Sequence, residues 1–389
     1  GNTCVSQNFA SEEEYQLQIS DSRGNEDIQS FDIKVLSYNI FIRPPPVHTN
    51  GDDYKDERLA EFLKHMSAYH VICLQEMFGT FSNRRENLIE NAKKLGFVHS
   101  FKSPKQDFFS TQFIDGGLLI LSRFPIVTQE FRPFDYGAGS DSLAQKGILY
   151  VKIAIGSSYL HLFNTHTQAS YDSDLKWFLT RSDQLLTFQK FIKESLAKND
   201  YNETDVVLLA GDFNVDSRSL ARIKSEAIKS TPKLQDLKSL TKKEDFSEYD
   251  ALVCCLSNDN QDEVEDLVFK KYKEHPATYG EYVLDHYQEK RPLEKVLTHP
   301  EFNCASECLD YIFKYTPKTD CSLDQLVKKQ KAKAELTVKE DSAQVAKFFV
   351  HGHDFDQLSD HYGIEVSLQY TRMAVPEKED SESTASGSG

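Results

Sequence analysis

A short run of the chain, Gly211-Asp212-Phe213-Asn214, places a carboxylate and an amide two residues apart. In an extended chain, residues two apart point to the same side, so Asp212 and Asn214 are predicted to project together. Gly211 has no side chain and lets another group approach the backbone closely. A carboxylate and an amide held side by side can bind a divalent metal ion and a phosphate oxygen. Gly, Asp and Asn are also typical turn residues, so this run alone fits a turn equally well.

One arrangement recurs along the chain: a short apolar run ends, and a polar residue that can bind metal or phosphate follows directly. Five apolar residues, Val206 to Ala210, precede the first example and predict a strand buried on both faces. Ligand sites in open α/β folds cluster at such strand ends. Turns alone explain the whole set poorly. Its members are Asn39, Glu76, His166, Asp212 with Asn214, Asp310, and Asp360 with His361.

The elements that must position these residues alternate between strands and helices, which predicts a layered α/β domain. Residues 322–340 are rich in Lys and Glu, and we expect a solvated helix or loop there. The pattern weakens over residues 217–305, where loops between short helices are expected. Strands are predicted at 33–38, 71–75, 116–125, 147–155, 159–164, 206–210, 307–313 and 359–368, and helices at 53–65, 84–95 and 175–196.

Composition limits the classes of protein to which the chain can belong. The 389 residues carry a net charge of −16, which disfavours stable binding of long nucleic acids but still allows a nuclease with a bound metal ion. Seven cysteines match no common zinc spacing and favour a reduced, cytosolic chain. We expect a polar arm at residues 1–30, one domain at 31–370 and a disordered tail at 371–389.

Six short motifs, taken together, resemble the DNase I-like endonuclease/exonuclease/phosphatase superfamily. They occur in that superfamily's order: Ser37-Tyr-Asn39, Gln75-Glu76, Asn164-Thr-His166, Gly211-Asp-Phe-Asn214, Leu309-Asp-Tyr311 and Ser359-Asp-His361. The resemblance implies a four-layer α/β sandwich in which two central sheets pack face to face. It also implies hydrolysis of a phosphate ester with Mg²⁺, or with Mn²⁺ as a second option.

The resemblance also implies a role for each motif residue. His361 would be the general base that activates water, oriented by Asp310, and Asp212 would position that water. Asn214 and His166 would bind the phosphate oxygens as negative charge develops on them. The remaining residues would hold the metal ion: Glu76 with Asn39 nearby, and Asp360 as a further ligand or as support for the ligands.

Three further segments are similar to the neutral sphingomyelinase branch of this superfamily. They are Gln145-Lys146-Gly147, Thr165-His-Thr-Gln-Ala169 and His275-Pro-Ala-Thr-Tyr-Gly280. This similarity adds Lys146 to the expected catalytic residues and implies conversion of sphingomyelin to ceramide and phosphocholine at a phospholipid membrane. No stable nucleic-acid partner is expected. The alternatives are an inositol polyphosphate phosphatase, a nuclease, or a catalytically silent protein that binds membranes.

The chain has no apolar run of the ~18 residues needed to span a membrane. Two other features would bring an acidic enzyme to a lipid surface. The chain begins Gly1-Asn-Thr-Cys4, and myristoylation of Gly1 with palmitoylation of Cys4 would give a stable dual anchor. We therefore expect a cytoplasmic, membrane-associated protein. Phe108, Phe109 and Phe113 lie in a polar stretch and could also insert into the bilayer surface.

Overall fold

The computed structural model describes residues 30–106, 110–258, 261–318 and 334–372. The strands, in chain order, are β1 Ser30–Ile42, β2 Val71–Met77, β3 His99–Lys102, β4 Leu119–Ser122, β5 Ile126–Pro133, β6 Gly147–Ile155, β7 Ser158–His166, β8 Val206–Asp212, β9 Glu263–Asp266, β10 Tyr282–Leu284, β11 Lys290–Pro292, β12 Asp310–Thr316, β13 Ala334–Val338, β14 Gln344–Ala346 and β15 Gly363–Arg372. The α-helices are α1 Lys55–Met66, α2 Arg84–Lys94, α3 Leu175–Lys198, α4 Ser225–Ser230, α5 Pro232–Thr241, α6 Glu248–Leu256 and α7 Leu267–Tyr272.

The strands form two mixed sheets and one small hairpin. The first sheet has the order β13-β15-β1-β2-β4-β3, with β14 also paired to β15. The second has the order β5-β6-β7-β8-β12-β9, and β10 pairs with β11 apart from both sheets. Each sheet has one parallel pair near its centre, β1 with β2 and β7 with β8, so neighbouring strands end at the same edge.

The two sheets pack face to face and helices cover their outer faces. Val35 and Val71 of the first sheet share an inner core with Leu162 and Leu208 of the second. The residues that alternate with Val35 and Val71 along their strands lie on the outer face of the first sheet. There they pack against α1 and α2, whose buried side chains include Phe62 and Leu88. Helices α3 and α6 cover the second sheet in the same way. Both faces of the central strands are therefore buried, and the predicted four-layer sandwich is confirmed.

Several predicted boundaries shift, and one prediction is wrong. The strand expected at 116–125 is only β4, because Gly117 adopts a left-handed φ of 67° just before it. The first helix begins at Lys55 rather than residue 53, since Tyr54 is also left-handed. Within the Lys- and Glu-rich stretch, Ala334–Val338 is an edge strand paired with β15, not a helix or loop. Its buried residues, Ala334 and Leu336, alternate with more exposed ones, as in a strand. The many charged residues of the stretch make this alternation hard to see in the sequence.

Some expectations fall on residues that the structure does not describe. Gly1, Cys4, Phe108 and Phe109 lie outside the described residues, as do most of the N-terminal arm and the C-terminal tail. Phe113 is described and half-buried, with its ring centroid 6.5 Å from that of Phe81. Among the described helices, none combines the length and the apolar character that a bilayer crossing requires.

Candidate active site

The register of the second sheet brings three of the predicted site residues side by side. Asp212 ends β8, His166 ends the parallel strand β7, and the two residues are paired across the sheet. On the other side of β8, Asp310 begins the antiparallel strand β12 and is paired with Asp212. Asp212 therefore lies between His166 and Asp310 at one edge of the sheet.

The Asp212 carboxylate lies at the centre of the site and is almost completely buried. Its Oδ2 atom accepts a hydrogen bond from Asn39 Nδ2 at 2.9 Å, and its Oδ1 accepts one from the Asn214 backbone N–H at 2.9 Å. The Nε2 atoms of His166 and His361 lie 3.5 and 3.8 Å from Oδ2. Burial alone would raise the pKa of Asp212, but these two imidazoles and the hydrogen bonds lower it below its usual range. Asp212 therefore stays ionised at neutral pH.

His361 and Asp310 form a buried dyad. His361 Nδ1 donates to Asp310 Oδ2 at 2.9 Å, which leaves Nε2 directed towards Asp212 and the cleft. Burial opposes the charged imidazolium, but the carboxylates of Asp310 and Asp212 outweigh it and raise the pKa of His361 well above its usual range. The dyad can therefore take up a proton at Nε2 and keep it stabilised.

Asn39, Glu76 and Asp360 form the second half of the site, at the end of the first sheet. The Asn39 amide donates to Glu76 Oε1 at 3.1 Å as well as to Asp212, so it joins the two sheets at this point. The Ser359 hydroxyl donates to Asn39 O at 2.6 Å and so fixes the segment that carries Asp360. Burial, and also the charge of Glu76, raise the pKa of Asp360 to about 7. This concentration of negative charge suits a divalent cation.

Asp212, Asp310 and His361 also offer ligand atoms that lie within 4.8 Å of one another. Two of these three residues already satisfy each other through the Nδ1–Oδ2 hydrogen bond. We therefore assign this trio to proton transfer, and we regard Glu76 and Asp360 as the carboxylates that are available to a metal ion. Either set has the donor types of a divalent metal site.

Lys146, His166 and Asn214 also line the cleft that opens over the site. Lys146 is buried rather than a surface lysine, and its Nζ lies 2.8 Å from Asp141 Oδ2, 2.8 Å from Thr167 O and 3.3 Å from His166 Nε2. Burial, together with the charge of Lys146, lowers the pKa of His166. The Asn214 amide donates to Thr167 O at 3.2 Å. These three residues therefore place nitrogen atoms along one part of the cleft.

Two residues that the sequence did not single out complete the site. Asp141 pairs with Lys146 and accepts hydrogen bonds from Tyr171 Oη at 3.0 Å and Ala169 N at 3.0 Å. Arg58 is fully buried and donates to four carbonyl oxygens at 2.7–2.9 Å, those of Ile40, Phe41, Asp53 and Leu358. It thereby ties the end of β1 to the segment just before Ser359. Neither residue follows a strand, so neither carries the sequence signal that marked the others.

A cleft of about 720 Å³ opens over these residues. Glu76, Asp212 and His361 line it, whereas Asn39 and Asp310 are not among its lining residues and so lie behind them. Aromatic residues surround the polar floor: Phe41, Phe78, Tyr171, Tyr279 and Phe302. A cleft of this volume accommodates a small phosphodiester with an organic head group.

Comparisons with known proteins agree with this architecture. Residues 36–330 match the model of the Endonuclease/Exonuclease/phosphatase family. A Dictyostelium discoideum protein named a sphingomyelinase is 32% identical over 374 residues, covering 84% of this chain and 77% of that protein. Sphingomyelinase C from Listeria ivanovii is 27% identical over 194 residues, covering 47% of this chain and 56% of that protein. The chain thus spans little more than half the length of this bacterial relative.

The fold is shared with solved structures. A mutant of beta toxin from Staphylococcus aureus, determined with bound magnesium ions, superposes with a TM-score of 0.54 and 19% sequence identity, covering 86% of this chain and 99% of that one. At this identity the likeness concerns the fold alone. The family match and the similarity to the Dictyostelium protein show more: the chain belongs to the endonuclease/exonuclease/phosphatase family, in its sphingomyelinase-like branch, and is a phosphoric diester hydrolase.

Proposed function

We propose that this protein hydrolyses the phosphodiester of a phospholipid, and that its substrate is sphingomyelin, which it converts to ceramide and phosphocholine in a Mg²⁺-dependent reaction. The observation that carries the proposal is the His361–Asp310 dyad, whose free nitrogen faces Asp212 in a cleft lined by anion-binding donors. The lipid substrate is supported by the relatives named sphingomyelinase from Dictyostelium discoideum and Listeria ivanovii.

Activation of water falls to the dyad. In its neutral form, His361 accepts a proton at Nε2 from a water molecule that the Asp212 carboxylate orients, and the oxygen of that water attacks phosphorus. The bond between phosphorus and the ceramide oxygen breaks, that oxygen takes up a proton from solvent to leave as the ceramide hydroxyl, and the His361 imidazolium returns its proton to solvent. Asp310 holds the proton on His361 Nδ1, so Nε2 is the basic nitrogen, and it stabilises the imidazolium that forms. Because Asp212 is ionised, it can accept the second hydrogen bond of the same water.

Negative charge that grows on the phosphoryl oxygens is met by Lys146, His166 and Asn214. We assign the binding of these oxygens to the amino group of Lys146, the imidazole of His166 and the amide of Asn214. These groups are held in place before any substrate arrives, because Lys146 is bonded to Asp141 and Asn214 is bonded to Thr167. Pre-arranged donors of this kind lower the barrier more than donors that must reorganise.

Glu76 and Asp360 would hold the metal ion, with Asn39 beside them, whose Nδ2 donates to Glu76 Oε1 and whose Oδ1 accepts from Phe41 N. The donor chemistry fits, because the charge of Glu76 contributes to the raised pKa of Asp360 and neither carboxylate forms a salt bridge among the described residues. A hard divalent cation such as Mg²⁺ prefers one or two carboxylates together with water and phosphate oxygens, and Mn²⁺ accepts similar ligands. When bound, such an ion would withdraw charge from the phosphate group.

A substrate panel tests the proposal. Purified protein is incubated with sphingomyelin, phosphatidylcholine, a phosphoinositide or DNA, each with Mg²⁺, with Mn²⁺ or with EDTA. We expect phosphocholine from sphingomyelin with either metal and none with EDTA, while the His361→Ala variant, prepared in parallel, excludes a contaminating activity. Phosphate release from the phosphoinositide, or cleavage of DNA, with sphingomyelin left intact would contradict the proposed substrate.

A further inference from the structure

Arg85 of α2 and Asp115 form an ion pair that is completely buried beside the active site. Arg85 Nη1 lies 2.8 Å from Asp115 Oδ1, and neither side chain is exposed to solvent. Another carboxylate, that of Glu86, lies 3.9 Å from Arg85 Nε. The Nε and Nη2 atoms are buried without a hydrogen-bond partner among the described residues. A buried pair with unsatisfied donors adds little net stability, and such pairs can instead restrict a segment to one conformation.

The Asp115 carboxylate is fully used, and it links two segments of the chain. Oδ1 accepts from Arg85 Nη1 and from Gly117 N, at 2.8 and 2.9 Å. Oδ2 accepts from Gly79 N at 2.9 Å and from Thr80 Oγ1 at 2.8 Å. Thr80 Oγ1 accepts in turn from the backbone N–H of Asp115 at 2.9 Å. We call Arg85, Asp115, Gly79, Thr80 and Gly117 the Asp115 clamp.

The clamp holds the loop that leaves Glu76. Glu76 adopts a left-handed φ of 53°, which a residue with a side chain keeps only when its surroundings impose it. The next residue, Met77, donates its N–H to Gly117 O at 2.8 Å, and two residues later Gly79 enters the clamp. A Cβ atom on Gly79 would lie 2.5 Å from Arg85 Nη2, so any larger residue there would displace the guanidinium from its present position. The turn at Glu76 is thus fixed by the residues that follow it in the chain.

The clamp lies behind the cleft rather than in it. Glu76, Phe78 and Ile114 line the cleft, but Arg85, Asp115 and Thr80 do not. Their effect on substrate must therefore pass through the residues that they hold. We propose that Arg85 and Asp115 are positioning residues that fix the Glu76 carboxylate for binding of a divalent cation. This inference rests on the metal-dependent function proposed above.

Direct metal binding tests the clamp without relying on turnover. Binding of Mn²⁺ to the purified full chain is measured by electron paramagnetic resonance for the parent and for Asp115→Asn, Arg85→Met and Thr80→Val. Loss of a residue that orients a metal ligand commonly weakens binding by roughly 10- to 100-fold, and we expect this for Asp115→Asn and Arg85→Met. Thr80→Val keeps the ion pair and removes only the hydroxyl, so we expect a smaller effect of roughly threefold or more.

Kinetics give a second signature of positioning. The metal concentration for half-maximal hydrolysis should rise in each clamp variant in proportion to the Mn²⁺ dissociation constant, while kcat at saturating metal should recover most of the parent value. Asp205→Asn is the matched control. Asp205 is also buried and accepts two backbone N–H groups, from Tyr159 at 3.0 Å and Asn202 at 3.1 Å, but it precedes β8, at the opposite end from Asp212. Its Mn²⁺ affinity should match that of the parent.

Each outcome decides the inference. Folded clamp variants, judged by circular dichroism and thermal melting, that bind Mn²⁺ as tightly as the parent would overturn it. If Asp115→Asn and Arg85→Met do not fold, parent-like binding by Thr80→Val has the same consequence. A parent protein that binds no Mn²⁺ would overturn both the inference and the metal-dependent function. A further outcome is that the clamp variants and Glu76→Gln bind Mn²⁺ more weakly than the parent while the parent is inactive on sphingomyelin. That outcome would support the role of the clamp and refute only the proposed substrate.

Discussion

Replacing Asp310 by asparagine perturbs the proposed base with a minimal change in shape. Asp310 Oδ2 accepts the proton on His361 Nδ1 at 2.9 Å, and its other oxygen has no hydrogen-bond partner among the described residues. An asparagine amide can turn its NH₂ group towards Nδ1, which would place the imidazole proton on Nε2 instead. Nε2 could then no longer accept a proton from water.

The expected loss follows from what the dyad supplies. A positioned general base contributes about 10²- to 10⁴-fold to a rate, and a wrong tautomer removes most of that contribution. We expect kcat to fall by about 10³-fold, which corresponds to about 4 kcal/mol of transition-state stabilisation. The Michaelis constant should change little, because Asp310 does not line the cleft. His361→Ala should cost about as much, and the double variant should cost little more, because the two residues act as a unit.

Initial rates on sphingomyelin in mixed micelles at saturating Mg²⁺ measure these losses. The control is Asp205→Asn, which alters a second buried pair: His161 Nε2 lies 3.4 Å from Asp205 Oδ2, far along the same sheet. That variant should lose stability but retain kcat. The reasoning would be refuted if Asp310→Asn kept kcat within tenfold of the parent, or if the losses in the double variant multiplied.

Three further predictions concern Lys146, Gly211 and the acylation of Gly1 and Cys4. Lys146→Ala should lower kcat by about 10²-fold with a smaller rise in the Michaelis constant, and an unchanged kcat would remove Lys146 from the reaction. Gly211→Ala should destabilise the fold by about 3 kcal/mol, because its Cβ would lie 2.0 Å from a backbone oxygen, while Gly51→Ala, in open space, should keep the parent melting temperature. The expected acylation of Gly1 and Cys4 is checked by fractionation of cell-expressed protein: Gly1→Ala and Cys4→Ser should leave the membrane pellet, and a wild type that is already soluble would contradict it.

Much of the site could be predicted because its residues follow buried strands. Val206 to Ala210 are apolar on both faces, so the strand and its end at Asp212 were visible in the sequence. Parallel strands end at one edge, which explains why His166 and Asp212 meet there. The sandwich and the family motifs can also be predicted, because the motifs lie at the ends of buried strands.

The remainder depends on contacts between segments that are distant along the chain. Arg58 reaches Leu358 O, 300 positions away, and no local pattern marks such a residue. The burial of Lys146 follows from its pairing with Asp141, whereas a lysine before a strand is by itself an ordinary surface residue. The sequence does not predict the edge strand Ala334–Val338, because its alternation lies within a charged stretch. Tertiary packing, rather than local propensity, decided all three cases.

The destination of a labelled oxygen atom tests the central claim most directly. Sphingomyelin is hydrolysed by the parent protein in H₂¹⁸O with Mg²⁺, and the products are analysed by mass spectrometry beside an EDTA control and the His361→Ala variant. Attack of water on phosphorus predicts one ¹⁸O atom in phosphocholine, none in ceramide, and no product in either control. Label in ceramide, release of choline with ceramide phosphate, or full activity in EDTA would contradict the account.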